Sequence, residues 1–219
     1  MQKLLMVVVM VSAFTACAAD VDEANPRTSE REQAVTEIFS EKFDNLQPGP
    51  IGGQNGWDGN CTVTDGADKY LKCVGNRFAN KEIGFHGAGS YTMLVDLGPN
   101  INVVNSTHGK IFLEGPDGYV FQVLIGCDNI RTAFQQSGPT QFLLTFPCQS
   151  VTGPPAFRVI CNWSTGGRVL SCGGARKPAD PTTFIDLPVG PIRAFDSVEI
   201  VTFDLPGASL FDKIFIWQN

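Results

Sequence analysis

Residues Ile38 to Trp57 read IFSEKFDNLQPGPIGGQNGW, and the passage splits into a half that alternates and a half that turns. Ile38, Phe39 and Phe43, with Ser40, Glu41 and Lys42 between them, suit a half-buried strand entering a sheet. Pro48, Gly49, Pro50, Gly52, Gly53 and Gly56 follow within nine residues. Proline fixes φ and glycine permits positive φ, so this second half is a specified loop and not a helix. Trp57 ends it, and so large a ring after so many small residues is expected to pack over the loop as a plug.

Working outward, the rest of the chain repeats the alternating half many times. Tyr91, Met93, Val95 and Leu97 interleave with Thr92, Leu94 and Asp96. Lys110 to Glu114 and Tyr119 to Ile125 flank Gly115-Pro116-Asp117-Gly118, a hairpin signal. Further strands are expected at Glu82 to His86, Phe142 to Phe146, Phe157 to Trp163, Arg168 to Ser171 and Thr182 to Asp186. A last pair, Ser197 to Phe203 and Leu210 to Trp217, is joined through Leu205-Pro206-Gly207. Glycine and proline number 37 of 219 residues, above the usual share of about 12%. So many turns between short strands predict an all-β, two-sheet antiparallel sandwich over residues 38–219, with Trp57 and Trp217 in its packing.

The spacing Phe43, Asp44, Leu46, Gly49, Ile51, Gly53, Gln54, Gly56, Trp57 resembles the first strand and loop of concanavalin A-like lectin/glucanase domains, the laminin-G-like jelly rolls. Phe211, Asp212, Ile214 and Ile216 are similar to the closing strand of such domains. The resemblance implies a jelly roll whose first and last strands lie side by side, zipping the edge of one sheet. It also implies that a structural calcium, if present, bridges those strands at Asp44 and Asp212, although neither sits in a D-x-D-x-D-G loop. No other cofactor is expected. The fold hosts lectins, hydrolases, lyases and adhesive modules alike, so it does not decide function.

The N-terminus reads as a signal peptide: Lys3, the apolar run Leu4 to Val11, then small residues to Ala18. Phe14-Thr15-Ala16-Cys17 resembles a bacterial lipobox, with Phe14 where leucine is preferred and Cys17 as the residue to be acylated. Cleavage after Ala18 is the competing reading, giving a soluble secreted protein in place of an outer-membrane or cell-surface lipoprotein. Residues 18–37 form an acidic tether with Asp20, Asp22, Glu23, Glu30, Glu32 and Glu37.

Either processing route leaves Cys61, Cys73, Cys127, Cys148, Cys161 and Cys172. An even set in an exported chain implies disulfides, and spacing supplies no C-x-x-C metal pair. Hairpin geometry selects the pairs 61–73, around Asp65-Gly66, 161–172, around Gly166-Gly167, and 127–148, around Ser137-Gly138-Pro139. Sequons occur at Asn60, Asn105 and Asn162 and matter only in a host that glycosylates.

Formal charge is −6; setting aside the six tether acids and Lys3, Arg27 and Arg31 leaves 16 acids and 13 bases. No basic stripe exists, which excludes nucleic acid as an expected partner. A glycosidase of this fold would place acids two and four or five apart on one strand, and residues 38–219 hold no such run. The nearest acids, Asp196, Glu199 and Asp204, are three and five apart. Lyase signatures and a G-x-S-x-G elbow are missing as well. The expectation is therefore a non-catalytic module recognising a glycan or a cell-surface partner, touching membrane only through a lipid anchor. The alternatives are a glycoside hydrolase or polysaccharide lyase with an atypical site, and a structural module of the cell envelope. A sugar needs rings beside amides and charges. Gln122, Arg158, Asn162 and Trp163 are the candidate ligand contacts, with Trp163 also a core candidate because it shares a face with Phe157, Val159 and Cys161.

Overall fold

The computed structural model describes residues 35–98, 107–128, 134–136, 141–147, 157–175, 182–202 and 208–219. β1 (Thr36–Lys42), β2 (Gly49–Pro50), β3 (Trp57–Gly59) and β4 (Thr62–Val63) surround the opening loop. β5 (Leu71–Val74), β6 (Phe78–His86), β7 (Ser90–Leu97), β8 (Thr107–Gly115) and β9 (Gly118–Asp128) follow. Next come β10 (Phe134–Gln136), β11 (Gln141–Pro147), β12 (Phe157–Ser164) and β13 (Val169–Ala175). β14 (Thr183–Pro188), β15 (Phe195–Val201) and β16 (Ala208–Gln218) complete the order.

The strands form two sheets. The first, which holds both ends of the domain, runs β14-β13-β12-β7-β16, and β5-β4-β2 continues beyond the start of β16. β1 pairs with the rest of that same edge of β16, Glu41 opposite Ile214. The first and last strands are thus neighbours, but β16 lies inside the sheet and only β1 forms a rim there. The second sheet runs β10-β11-β9-β8-β15-β6-β3. Among the described residues every pairing is antiparallel except β11 with β9. Alternation turns Met93, Val95, Val159, Ile214 and Ile216 of the first sheet toward Ile111, Leu113, Val123, Val198 and Ile200 of the second, and all are buried.

The opening passage folds largely as its residues dictate. Phe39 and Trp57 pack edge to face at 6.5 Å, and Phe43 lies 5.8 Å from Trp57. Burying rings of this size contributes roughly 1.5–3 kcal/mol each. Gly53 and Gly56 take positive φ, and the Gln54 side chain staples the loop through Gln47 and Pro50. Gly59 is required twice over, by φ +132° and because a Cβ there would lie 2.3 Å from the Phe78 carbonyl oxygen. Period two also aims Glu41 inward between Phe39 and Phe43. It survives there, 2% exposed, by accepting hydrogen bonds from Trp57 Nε1 (2.8 Å), Asn55 Nδ2 (3.0 Å) and Lys81 Nζ (2.9 Å). A buried charge needs this complete a set of partners.

Several boundaries differ from the sequence reading. Phe43 belongs to a 3-10 turn, Phe43–Asn45, and not to the strand. β1 begins at Thr36, so Thr36 and Glu37, assigned to the tether, pair with Gln218 and Trp217. β15 and β16 sit in different sheets, so the last two strands are no hairpin. Trp217 is half-buried and stacked on Phe215 at 5.3 Å, on the outer face of the first sheet and not in the core. Cys61–Cys73 and Cys161–Cys172 are bridged, the second pair directly opposite in register. The 127–148 bridge lies outside the described residues, as do Cys17 and the tether up to residue 34.

Candidate functional site

At one end of the sandwich the β12–β13 turn, the start of β7 and the end of β16 enclose an open groove of about 440 Å³. Ser90 and Ser164 face each other across β7 and β12, their hydroxyl oxygens 2.8 Å apart. Asn162 accepts a hydrogen bond from Thr92 Oγ1 at 2.8 Å, and Thr92 Oγ1 accepts one from Asn219 Nδ2 at 3.0 Å. The relay holds the Asn162 amide in one orientation and leaves its Nδ2 without an acceptor among the described residues. Arg168, exposed at the turn, likewise has no side-chain partner among them. Val169, 47% exposed, adds an apolar wall. The floor is aromatic: Tyr91 and Trp163 stack at 5.6 Å, with Phe121 and Phe195 edge-on to Trp163. The turn is held to the next loop by Gly166 N–H to the Ile192 carbonyl at 2.7 Å.

The four expected ligand contacts fall in three places. Asn162 and Trp163 line this groove, on opposite faces of β12. Trp163 is only 4% exposed, and its Nε1 is buried without an acceptor, so the ring is floor and not a platform. Arg158 lies on the outer face of the first sheet, clamped to Asp96 by two 2.7 Å hydrogen bonds. Its donors are committed to an ion pair, as the alternation that put it beside Asp96 requires. Gln122 belongs to the other sheet. The groove residues Ser90, Arg168 and Asn219 carried no signal in the sequence, because three distant segments supply them.

The outer face of the second sheet holds a different arrangement. Register aligns Asn80, Glu199, Phe112 and Gln122 in one row, and Glu82, Ser197 and Glu114 in the next. Glu114 and Glu199 stand diagonally across β8 and β15 and share a hydrogen bond. Burial, the bond to Glu114 and the Glu114 charge, in that order, push the Glu199 carboxyl up to about 7. Near pH 7 the Glu199 carboxyl is therefore about half protonated. Glu199 was visible along its own strand, but its partner Glu114 was not, because the pair is made between strands. Asn80 beside Glu199 has a buried Oδ1 with no donor.

The expected calcium positions, Asp44 and Asp212, each have a lysine partner. Asp44 Oδ1 accepts the Lys69 backbone N–H at 2.7 Å, and Lys69 Nζ caps the Asp44 and Leu46 carbonyls. Asp212 lies 3.2 Å from Lys213 Nζ. Burial raises its carboxyl, Lys213 pulls it down, and Asp96 and Asp44 push it up. Lys213, Lys69 and Arg158 already serve these acids, and no three acidic, histidine or cysteine side chains among the described residues converge to hold an ion.

No family model and no curated protein matches the chain. Solved structures do. Lectin II from Ulex europaeus superposes with a TM-score of 0.50 at 9% identity, over 84% of this chain and 100% of that one. The metal-free exoplasmic/lumenal domain of VIP36 gives 0.49 at 12% identity, over 84% and 93%. Lectin I from Ulex europaeus, bound to a methyl glycoside of α-L-fucose, gives 0.48 at 13%, over 83% and 98%. At such identities the likeness concerns backbone architecture, and on the strength of lectin II the chain has the concanavalin A-like lectin fold.

Proposed function

We propose that this domain is a non-catalytic, lectin-like module that binds a glycan in the groove between the β12–β13 turn and the start of β7. The observation that carries this reading is the lining itself: two serine hydroxyls, two carboxamides and a guanidinium with no side-chain partner among the described residues, beside an exposed valine, in a groove of about 440 Å³. Saccharides present vicinal hydroxyls and a small apolar face, and such a lining satisfies both. Lectin II from Ulex europaeus is also solved in complex with galactose, and that neighbour supports the class of ligand. In the same proposal the chain is exported and anchored through Cys17, with residues 18–35 as spacer; two disulfides support an oxidising compartment. Palmitate labelling that persists in Cys17→Ala would remove the anchor from the proposal.

A glycan array tests the groove. The wild-type chain should retain at least one saccharide, and Asn162→Ala and Arg168→Ala should each weaken it by about tenfold, the effect of one or two lost hydrogen bonds. Retention unchanged in both variants would overturn the assignment.

The Glu114–Glu199 pair favours a second reading, a glycoside hydrolase. A carboxyl that keeps its proton toward neutral pH beside a second carboxyl is a feature general acid catalysis uses. In mutual hydrogen-bond contact they stand closer than the roughly 5–5.5 Å of a retaining enzyme, so a sugar would have to part them. Reducing-sugar release that disappears in Glu199→Gln would favour this reading over the first.

A further inference from the structure

The outer face of the first sheet is built in three rows, each read directly from strand register. The middle row is apolar: Phe215, Leu94, Ile160, Gly173 and Phe184 lie side by side across five strands, with Ser40 of β1 at its end. Phe184 is 41% exposed, and Phe215, Leu94 and Ile160 are half-buried. On one side runs the row Lys42, Lys213, Asp96, Arg158. On the other runs Glu37, Trp217, Thr92, Asn162, Ser171, Asp186. The first flanking row carries three cations, of which Arg158 and Lys213 are matched by Asp96 and Asp212 while Lys42, exposed, reaches over the Phe215 ring at 5.7 Å. The second carries two exposed acids and the Trp217 ring.

We propose that this face is the interface of a homodimer, two copies packed face to face about a two-fold axis lying along the apolar row. Such an axis exchanges the two flanking rows while keeping every strand over its own copy. Phe215, Leu94, Ile160 and Phe184 then meet their counterparts. Lys42 comes over Glu37 of the partner subunit, and Lys213 over the partner's Trp217, within the range of a cation–π contact at the roughly 10 Å spacing of packed sheets. The face is self-complementary under this one operation, which is what an isologous contact demands. An anionic membrane surface fits less well, because Glu37 and Asp186 would be pressed against like charge.

Six strands about 4.8 Å apart and three rows about 7 Å apart cover roughly 500 Å² of flat area per copy, the order of a weak and reversible interface. Asn162 belongs to both the second flanking row and the glycan groove, whereas Ser90, Ser164 and Val169 lie one row further out. The proposal does not depend on what the groove binds.

Sedimentation velocity on the purified full chain, from about 1 µM to 1 mM, reads the association directly across the weak range. A monomer–dimer equilibrium is expected. Glu37→Lys and Lys42→Glu, both at exposed positions, should each weaken it by fivefold or more, since each substitution sets two like-charge contacts in a symmetric interface. The double variant Glu37→Lys with Lys42→Glu restores opposite charges across the axis and should recover the wild-type constant to within about threefold. Phe184→Glu should abolish association, and far-UV circular dichroism should show each variant folded. A chain that stays monomeric to 1 mM overturns the proposal. So does a dimer indifferent to these changes, or one that the double variant weakens further.

Discussion

Glu41 is buried and Glu199 half-buried in this sandwich, and their surroundings are opposite. Glu41 lies between the sheets with three donors, one of them an ammonium that also sits 5.5 Å and 5.7 Å from the rings of Phe39 and Trp57. Glu199 lies on the outer face of the other sheet against a second carboxyl, with the polar end of Asn80 unsatisfied nearby. A charge whose partners are complete belongs to the architecture. A charge that lacks them, and holds its proton near neutral pH, persists at a cost to stability and is a candidate for function.

The contrast can be broken from either side. Glu41→Ala should have the largest effect, about 3 kcal/mol of lost stability by urea denaturation, because it strands Lys81 and the Trp57 N–H in a buried site. A loss below about 1 kcal/mol would mean that the network is not what secures the opening loop. Lys81→Met should cost less, about 1–2 kcal/mol, since Trp57 and Asn55 still serve the carboxylate and the lysine is partly solvated.

The Glu199 effect is smaller and depends on pH. Its folded carboxyl is raised from 4.5 to about 7, so the folded state keeps a proton that the unfolded chain releases. Stability contributed by this group is full below pH 4.5, falls as pH rises through 7 and is level above that. Glu199→Gln should remove this slope. Because the site is half-open to solvent, the gain at pH 8 should be about 1 kcal/mol and the change at pH 4 close to nil. Urea midpoints that fall between pH 4 and 8 equally in wild type and variant would show that the two carboxyls do not share a proton.

The particular residues show where sequence reasoning reached. Pro48 to Gly56 could only be a loop, Trp57 its plug, and the cysteines at 61 and 73 or 161 and 172 could only bridge neighbouring strands, since each pair spans a short turn. The same alternation marks Glu41 as inward once Phe39 is inward, although a lone glutamate in a strand gives no hint of three donors arriving from Asn55, Trp57 and Lys81. Period two marks the outward face of Asn162, and the structure places that side chain at the groove lining. The same rule marks Arg158 as outward, but the clamp from Asp96 on the adjacent strand is not visible in period two.

Local chemistry written in the chain thus determined the strands, their turns, two bridges and the sandwich they imply. Apart from the hairpins and the first-with-last pairing implied by the resemblance, which strands lie side by side came only with the tertiary structure. That pairing gathered Ser90, Asn162, Arg168 and Asn219 into one groove, set Glu114 against Glu199 and aligned an apolar row between opposite charges. Backbone pairing between segments a hundred residues apart depends on how whole faces pack, and a single strand carries no record of its neighbour.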